Sequence, residues 1–388
     1  MVRERLASDS KPIERIEAVA YRVPIDRPVA TSFGVMNDRP GVFIRLTDSD
    51  GASGLGEIFA NWPAAGAEHR VRLLMMDIAD LVLGRTYDQP GDLLVDLERR
   101  TEIRALQCGE WGPFRQAVAG LDTALHDLFA RKAGMPLSRY LSPDASTGVP
   151  AYASGIPARQ AAQSVPESRD AGFTAFKLKI GFDAEEDRRL VRSAAGSLQT
   201  GERLFTDANQ AWDAAAALAF IADMRDCGIG WLEEPIIATA PGADWLRLKD
   251  QGIAIAGGEN MAGHAEFDAA IASGVFGYLQ PDVAKWGGIG GCLAVARKIV
   301  DAGITYCPHF LGGGVGLVAS AHLLAAAGGP GLLEIDVNPN PLRAAFPAAS
   351  VALSDGCFLL PTGPGLGIDD IPEELERYRT LDMERRLG

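Results

Sequence analysis

The run Phe176-Lys177-Leu178-Lys179-Ile180 is a short apolar segment of strand-forming residues that carries two lysines two positions apart. Three further apolar runs follow it and end in the acids Asp207, Glu233 and Glu259. The acids are separated by equal steps of 26 residues (233−207 and 259−233), and each step contains a helix-like stretch. One strand plus one helix per step returns the chain to a neighbouring parallel strand at the same height. The spacing therefore predicts a barrel of βα units.

The alternation of strands and helices continues through the second part of the chain. Short apolar runs occur at eight places, namely 149–153, 173–180, 203–207, 229–233, 253–258, 277–283, 303–307 and 332–336. Helical stretches lie between most of them, at 184–197, 212–226, 264–273, 287–301 and 317–327. Strands that alternate with helices indicate a parallel sheet, and eight regular strands predict a closed α/β barrel over residues 146–337.

The first part of the chain has a different pattern. From about residue 13 to residue 60 apolar residues alternate with polar ones, which is typical of an antiparallel meander. From about 66 to 140 the apolar residues recur at helical spacing. We therefore predict an α+β capping domain over residues 1–145. Residues 338–388 are rich in proline and then charged, and we predict that they return to this domain.

The bulk composition limits the possible partners. A formal net charge of −14 argues against a nucleic acid or an anionic membrane as partner. No stretch reaches about 18 uninterrupted apolar residues, and the polar segment Met1–Arg15 lacks the apolar core of a signal peptide. The five cysteines are scattered without metal-ligand spacing, so we expect reduced, mostly buried thiols and a cytoplasmic location.

The three evenly spaced acids predict a metal site. Carboxylates at one height on adjacent strands cannot all stay ionised in a dry site without a cation. Isolated oxygen ligands that leave room for water and substrate suit magnesium better than zinc. We expect Asp207, Glu233 and Glu259 to hold one Mg²⁺ per subunit, and the chain is accordingly predicted to be an enzyme.

Lys177 and Lys179 face the same side of their strand, so both are expected to point into the barrel mouth. Two close ammonium groups disfavour each other's charge, and partial burial adds to this effect, so one amine can be neutral near pH 7. A neutral lysine could remove the proton from the carbon next to a metal-bound carboxylate. The alternative interpretation is a pair of lysines that reach solvent at a strand edge.

Two later strand ends carry a second candidate acid–base group. Asp282 ends the sixth run and His309 the seventh, so the aspartate could hydrogen-bond one imidazole nitrogen and raise the basicity of the other. Glu334 ends the eighth run and, if protonated, could donate a hydrogen bond to an enolate oxygen. Asp336 is an alternative to Glu334 in this role. The alternative interpretations are a core histidine and a salt-bridged acid that closes the barrel, and Lys285 could reach the site or be a solvated loop residue.

At these positions the sequence resembles the enolase superfamily and, within it, the mandelate racemase subgroup. The resemblance covers nearly the whole chain, and six motifs carry it in order: Lys177-x-Lys179, Asp207-x-Asn209, Glu233-Glu234-Pro235, Gly258-Glu259-Asn260, Asp282 with His309, and Glu334. It implies a modified (β/α)7β TIM-type barrel with an α+β capping domain and magnesium on the three carboxylates. It also implies Lys179 as one base, Lys177 as its electrostatic modulator, and the His309–Asp282 dyad as the other base.

The resemblance has implications for substrate and assembly as well. The substrates of such enzymes are small-molecule carboxylates, often acid sugars, and a homo-oligomer is expected. The shared step is α-proton abstraction to a metal-stabilised enolate, followed by racemisation or by loss of a β-hydroxyl. Relatives that cyclise muconate or epimerise dipeptides resemble one another in having a lysine at the strand end where this chain has Asp282. The segment from His309 to Glu334 looks longer than in mandelate racemase, so mandelate itself is not predicted as substrate.

Substrate specificity in such architectures comes from loops of the capping domain. The candidate loops are those around Phe33 and Trp62, which either form a lid or pack against the barrel. Together with Asn209 they are the predicted substrate-binding residues.

We therefore expect magnesium-dependent removal of the α-proton of a hydroxy-carboxylate, with dehydration of an acid sugar to a 2-keto acid as the leading reaction. Racemisation or epimerisation of a 2-hydroxy acid is the alternative. Two other classes are an aldolase-type barrel in which Lys177 or Lys179 forms a Schiff base, and a non-catalytic binding barrel.

Overall fold

The computed structural model describes residues 10–350 and 353–388. The first nine residues of the predicted capping domain, and with them most of the segment considered for a signal peptide, lie outside this range. The capping domain contains an antiparallel sheet in the order β13-β1-β2-β3. Its strands are β1 (Ile13–Thr31), β2 (Gly34–Asp48), β3 (Ser53–Ile58) and β13 (Arg379–Arg386).

Helices pack on this sheet and on one another. They are α1 (Gly66–Leu73), α2 (Ala79–Val82), α3 (Gly91–Cys108), α4 (Trp111–Lys132) and α5 (Leu137–Leu141). The close approach of α4 to β3 depends on two glycines. A Cβ on Gly54 would lie 2.1 Å from the carbonyl oxygen of Ala124, and one on Gly56 would lie 2.1 Å from that of Gly120. The C-terminal segment returns to this domain, because β13 pairs with β1.

The second sheet is a curved, parallel, eight-stranded sheet in the order β10-β9-β8-β7-β6-β5-β4-β11, with a further strand, β12 (Cys357–Leu359), paired to β4. Its strands are β4 (Gly148–Pro157), β5 (Ala175–Lys179), β6 (Arg203–Asp207), β7 (Ile229–Glu233), β8 (Ile255–Gly257), β9 (Phe276–Leu279), β10 (Thr305–Tyr306) and β11 (Leu333–Asp336). Each of the eight predicted apolar runs overlaps one of these strands. The predicted fold class, a TIM-type barrel with an α+β capping domain, is confirmed.

Helices connect the parallel strands. They are α6 (Ala161–Asp170), α7 (Ala184–Gly196), α8 (Ala214–Met224), α9 (Gly242–Arg247), α10 (His264–Ser273), α11 (Gly288–Asp301) and α12 (Gly314–Ala327). A short helix, α13 (Pro341–Ala344), follows the last parallel strand. Three of these helices, α6, α9 and α13, were not anticipated from the sequence. In α6 only three of ten residues are buried and Pro166 interrupts the pattern, so the apolar period is weak.

The barrel interior below the mouth is filled by aromatic side chains. The rings of Phe205 and Trp231 stack at 3.6 Å, and Tyr152 meets both of them edge-on. Cys307 lies in the same layer, and burial raises the pKa of its thiol to about 12, which agrees with its interpretation as a core residue. All five cysteines are free thiols, but only Cys292 and Cys307 are buried, fewer than expected. Among the described residues, no helix is both long and apolar enough to span a membrane.

Candidate active site

The ends of β5, β6 and β7 bring three of the predicted residues to one height. Lys179 is the register partner of Asp207, which is in turn the partner of Glu233. Glu259 follows the next strand, β8, by two residues. Side chains at matched positions of parallel neighbours share one edge of the sheet, so the equal steps along the sequence correspond to adjacent positions in space.

Lys177 is the centre of a buried ionic network. Its side chain is fully buried, and its Nζ lies 2.6 Å from Glu233, 2.7 Å from Glu334 and 3.6 Å from Asp207. The lysines therefore do not reach solvent at a strand edge. Burial lowers the pKa of Lys177, but the carboxylates of Glu233 and Glu334 outweigh it, and the net pKa is raised well above its ordinary value. This ammonium is a permanent charge of the site.

Lys179 lies above Lys177 and contacts Asp207. Burial lowers the pKa of Lys179, yet the carboxylates of Asp207, Glu233 and Glu259 together raise it by more, and the net shift is upward. The expectation of a neutral lysine is therefore not met in this structure. The argument from the sequence weighed burial and the repulsion between the two ammonium groups, but not the attraction of Asp207, which is larger than that repulsion.

His309 and Asp282 form the expected dyad, with 2.6 Å between imidazole Nδ1 and the aspartate oxygen. The other imidazole nitrogen, Nε2, lies 2.9 Å from Glu259. Burial lowers the pKa of His309, but the charges of Glu259 and Glu334 and the hydrogen bond that its imidazole donates to Asp282 raise the pKa well above its ordinary value. The imidazole is thus held in its charged form by carboxylates on both sides.

Glu334 joins the two candidate bases. It accepts a hydrogen bond from Ser154 at 2.5 Å and lies against Lys177 and, at 3.8 Å, His309. Burial raises its pKa, but Lys177 and His309 lower it to about 2. Glu334 is therefore ionised here, and the expectation of a protonated donor is not met. Asp336 is not an alternative, because its carboxylate pairs with Arg39 at 2.8 Å.

A cavity of about 630 Å³ lies between the barrel mouth and the capping domain. Its walls include Lys179 and His309 as well as the three predicted substrate-binding residues Asn209, Phe33 and Trp62. The hairpin between β1 and β2 reaches over the mouth, where the Ser32 hydroxyl donates to the Asn209 carbonyl at 2.6 Å. Phe33 and Trp62 meet edge-on at 5.9 Å beside this contact, and 58% of Phe33 is exposed.

The carboxylates suit a divalent cation in their chemistry and charge. Six carboxyl groups surround the mouth, those of Asp207, Glu233, Glu234, Glu259, Asp282 and Glu334, against the four basic groups of Lys177, Lys179, Lys285 and His309. Burial raises the pKa of Glu233 to about 7 and that of Glu234 to about 8, so not all six carboxyl groups are ionised without a cation. An oxygen-ligated divalent cation would balance their charge once they ionise. As the side chains stand, no group of three or more His, Cys, Asp or Glu residues in the described ranges is arranged to hold a metal ion. The side-chain nitrogens of Lys177, Lys179 and His309 pair with the carboxylate oxygens instead.

The structure adds site residues that the sequence analysis missed or left open. Lys285 reaches the cavity, 3.0 Å from Glu259 and 4.8 Å from the centre of the Phe59 ring. Gln280 donates to Glu233 at 2.7 Å. Glu234 lies against Asn260, and burial together with the Glu259 charge raises the pKa of Glu234 to about 8. Gln280 was recognisable, because it directly follows β9 and precedes Asp282 by two residues.

Glu57 is a buried acid that reaches the barrel from the capping domain. It lies at the end of β3, and its two carboxylate oxygens accept hydrogen bonds from the backbone N–H groups of Gly313 and Gly316, at the start of α12. Burial raises the pKa of Glu57 to about 7, although these two bonds lower it. The folded protein therefore holds this proton more tightly than the unfolded chain, in which the pKa is 4.5.

This shift predicts a pH-dependent stability. Between about pH 4.5 and pH 7 the unfolded chain releases the Glu57 proton and the folded protein keeps it, so the free energy of unfolding falls as the pH rises. The loss is on the order of 3 kcal/mol across that window and is complete above pH 7. Glu57→Gln is expected to lack this component. Denaturant unfolding of both proteins from pH 4.5 to pH 8 measures the difference, and parallel curves would contradict it.

The family models agree with this architecture. Residues 159–374 match the model described as enolase C-terminal domain-like, and residues 15–141 match the N-terminal domain of mandelate racemase/muconate lactonizing enzyme. The chain belongs to the mandelate racemase/muconate lactonizing enzyme family of the enolase superfamily. The resemblance inferred from the six motifs is confirmed.

Individual relatives differ in chemistry. The chain is 30% identical over 289 residues to a D-galactarolactone cycloisomerase of Agrobacterium fabrum, covering 71% of this chain and 76% of that protein. Among solved structures, a mandelate racemase/muconate lactonizing enzyme from Bordetella bronchiseptica is 42% identical with a TM-score of 0.89, covering 95% and 99% of the two chains. An L-talarate dehydratase from Polaromonas, complexed with Mg and L-glucarate, is 25% identical with a TM-score of 0.81, covering 97% and 99%.

Proposed function

We propose that this protein is a magnesium-dependent enzyme that removes the α-proton of a hydroxy-carboxylate, and that it dehydrates an acid sugar to a 2-keto acid. The observation that carries the proposal is that Lys179 and His309, from strands β5 and β10, line one cavity together with Glu259. Two proton-transfer groups on separate strands permit one to take the α-proton while the other protonates the departing β-hydroxyl. The Polaromonas relative, a dehydratase with bound Mg and L-glucarate, supports the same class.

Asp207, Glu233 and Glu259 are the residues that would hold Mg²⁺. Bound there, the ion would polarise the substrate carboxylate and stabilise the negative charge of the enolate. Lys177 adds a fixed positive charge beneath the same carboxylates. Gln280 and Trp231 hold the Glu233 side chain by donating to its Oε2 at 2.7 Å and 3.1 Å, so its orientation is set before substrate binds.

The protonation states of the two bases follow from their partners. Lys179 must lose a proton before it can act as a base, and its ammonium is stabilised mainly by Asp207. Neutralising that carboxylate removes the stabilisation and lets burial lower the pKa of Lys179. His309, charged and oriented by Asp282, is suited to donate its Nε2 proton to a β-hydroxyl that leaves as water. The resulting enol then tautomerises to the 2-keto acid.

A substrate panel tests the proposal. With Mg²⁺ present, at least one acid of a broad acid-sugar panel should give a product that reacts with semicarbazide, since only dehydration yields the 2-keto acid. Removing the metal with EDTA should abolish the product, and adding back Mg²⁺ should restore it. A panel that yields no keto acid in the presence of Mg²⁺ would refute the dehydratase proposal.

Racemisation or epimerisation is the second candidate, favoured by the same pair of bases. If the bases lie on opposite faces of the substrate, one removes the α-proton and the other returns a proton from the other side. The product is then the epimer, which does not react with semicarbazide and is resolved by chiral chromatography. Borohydride trapping with substrate separates both candidates from a Schiff-base aldolase, because only a lysine imine would be reduced to a stable adduct.

A further inference from the structure

The segment 57–61 of the capping domain contacts both barrel loops that carry the candidate dyad. Glu57 accepts hydrogen bonds from Gly313 and Gly316, and the Asn61 side chain donates to the Leu311 carbonyl at 2.7 Å. These contacts hold the loop that begins at His309. We call residues 57–61 the strap.

The strap also holds the loop that begins at Asp282. The backbone N–H of Phe59 donates to the Ala284 carbonyl at 3.2 Å. Ala284 in turn donates its own N–H to Asp282 Oδ1 at 2.8 Å, and the other oxygen of Asp282 contacts His309. The Phe59 ring lies beneath Lys285, 4.8 Å from its Nζ. Three residues of the strap, Glu57, Phe59 and Asn61, therefore contact positions two or three residues beyond Asp282 and two to seven residues beyond His309.

From these contacts we propose that Glu57 and Asn61 are positioning residues that set the distance and orientation of the His309–Asp282 pair. Among the described residues no hydrogen bond joins the strap to the imidazole or to the aspartate carboxylate. The charges of Glu57 and Asp282 interact, but the hydrogen bonds of the strap act on the pair through the two loops. The inference rests on the proposed function only for the role of His309 as an acid–base group. Independently of that role, we expect the loss of a strap contact to change the hydrogen bond between His309 Nδ1 and Asp282 Oδ2, which is 2.6 Å long in this structure.

Histidine NMR tests the proposal without substrate or metal. The chain has five histidines, so a protein labelled at histidine gives few resonances, and His309→Asn assigns the one of interest. A short hydrogen bond to a carboxylate moves the Nδ1 proton far downfield. Asn61→Ala and Glu57→Gln are expected to shift this proton upfield or to remove its signal by exchange with water.

Asp127→Asn is the matched control for general loosening of the capping domain. Asp127 is also a buried acid, and it accepts the N–H of Leu55, in the same strand as Glu57, at 2.8 Å and that of Leu366 at 2.7 Å. This variant should lose stability while the His309 resonance stays in place. If Glu57→Gln does not fold, Asn61→Ala alone tests the proposal. Asn61 is only partly buried, so we expect this variant to fold.

Two results would overturn the proposal: an unchanged His309 resonance in folded Asn61→Ala protein, or an equal shift in Asp127→Asn. Since the resonance is read in the absence of turnover, a failed substrate panel leaves this test intact. Conversely, an unmoved resonance in a protein that forms keto acid would refute the positioning role and leave the proposed function in place.

Discussion

Lys179→Met is expected to lower turnover by about 10²- to 10⁴-fold, which is the range that a positioned proton-transfer group contributes. Methionine keeps an unbranched side chain of similar length, so the wall of the cavity is preserved while the amine is removed. The same change should leave Mg²⁺ affinity unchanged or increase it, because the Lys179 ammonium contacts Asp207 and competes with a cation for that carboxylate. Loss of turnover without loss of metal binding is thus the expected result.

Keto-acid formation and titration calorimetry with Mg²⁺ measure the two quantities. Lys298→Met is the control, because Lys298 is a half-exposed lysine that pairs with Asp268 on the outer surface. This control should match the wild-type protein in both measurements. If the turnover of Lys179→Met is within tenfold of the wild-type value, Lys179 is not a proton-transfer group of the reaction. A parallel loss of Mg²⁺ affinity would instead assign Lys179 to the organisation of the metal site.

Lys177→Met is expected to lower the free energy of unfolding by about 3–5 kcal/mol, because it leaves buried carboxylates without their partner. The Lys177 side chain is fully buried and lies within 2.7 Å of both Glu233 and Glu334. Lys179, by comparison, keeps 12% of its side chain exposed and pairs with Asp207 alone. We therefore predict different roles for the two lysines of this motif: Lys177 stabilises the fold, and Lys179 transfers a proton.

Guanidinium unfolding in metal-free buffer measures this cost. The double variant Lys177→Met/Glu334→Gln should recover part of the loss, since it removes the negative charge that the single variant leaves unpaired. Lys298→Met again serves as control, and its exposed ion pair should contribute no more than about 1 kcal/mol. If Lys177→Met costs no more than this control, the buried network does not stabilise the fold.

The protonation states of Lys179 and Glu334 could not be predicted from the sequence. Spacing along the chain placed Lys177 and Lys179 on one face of a strand, and the structure agrees. Whether Lys179 is charged depends on the distance to Asp207, 28 positions away, and not on the neighbouring lysine alone. Glu334 likewise loses its proton because Lys177 and His309 converge on it. A pKa depends on three-dimensional distances, which strand periodicity leaves undetermined.

The contacts of the strap could not be predicted from the sequence either. Glu57 and Gly313 are separated by 256 positions, and neither lies in a motif that points to the other. The sequence by itself determined the order of the eight parallel strands and of five connecting helices, and with it the series Lys179, Asp207, Glu233 and Glu259 at the barrel mouth, because both follow from local periodicity and a repeating βα step. The tertiary structure alone decided which charges pair and how the capping domain meets the dyad loops. Those contacts arise from packing between segments remote in the chain, and no local pattern encodes them.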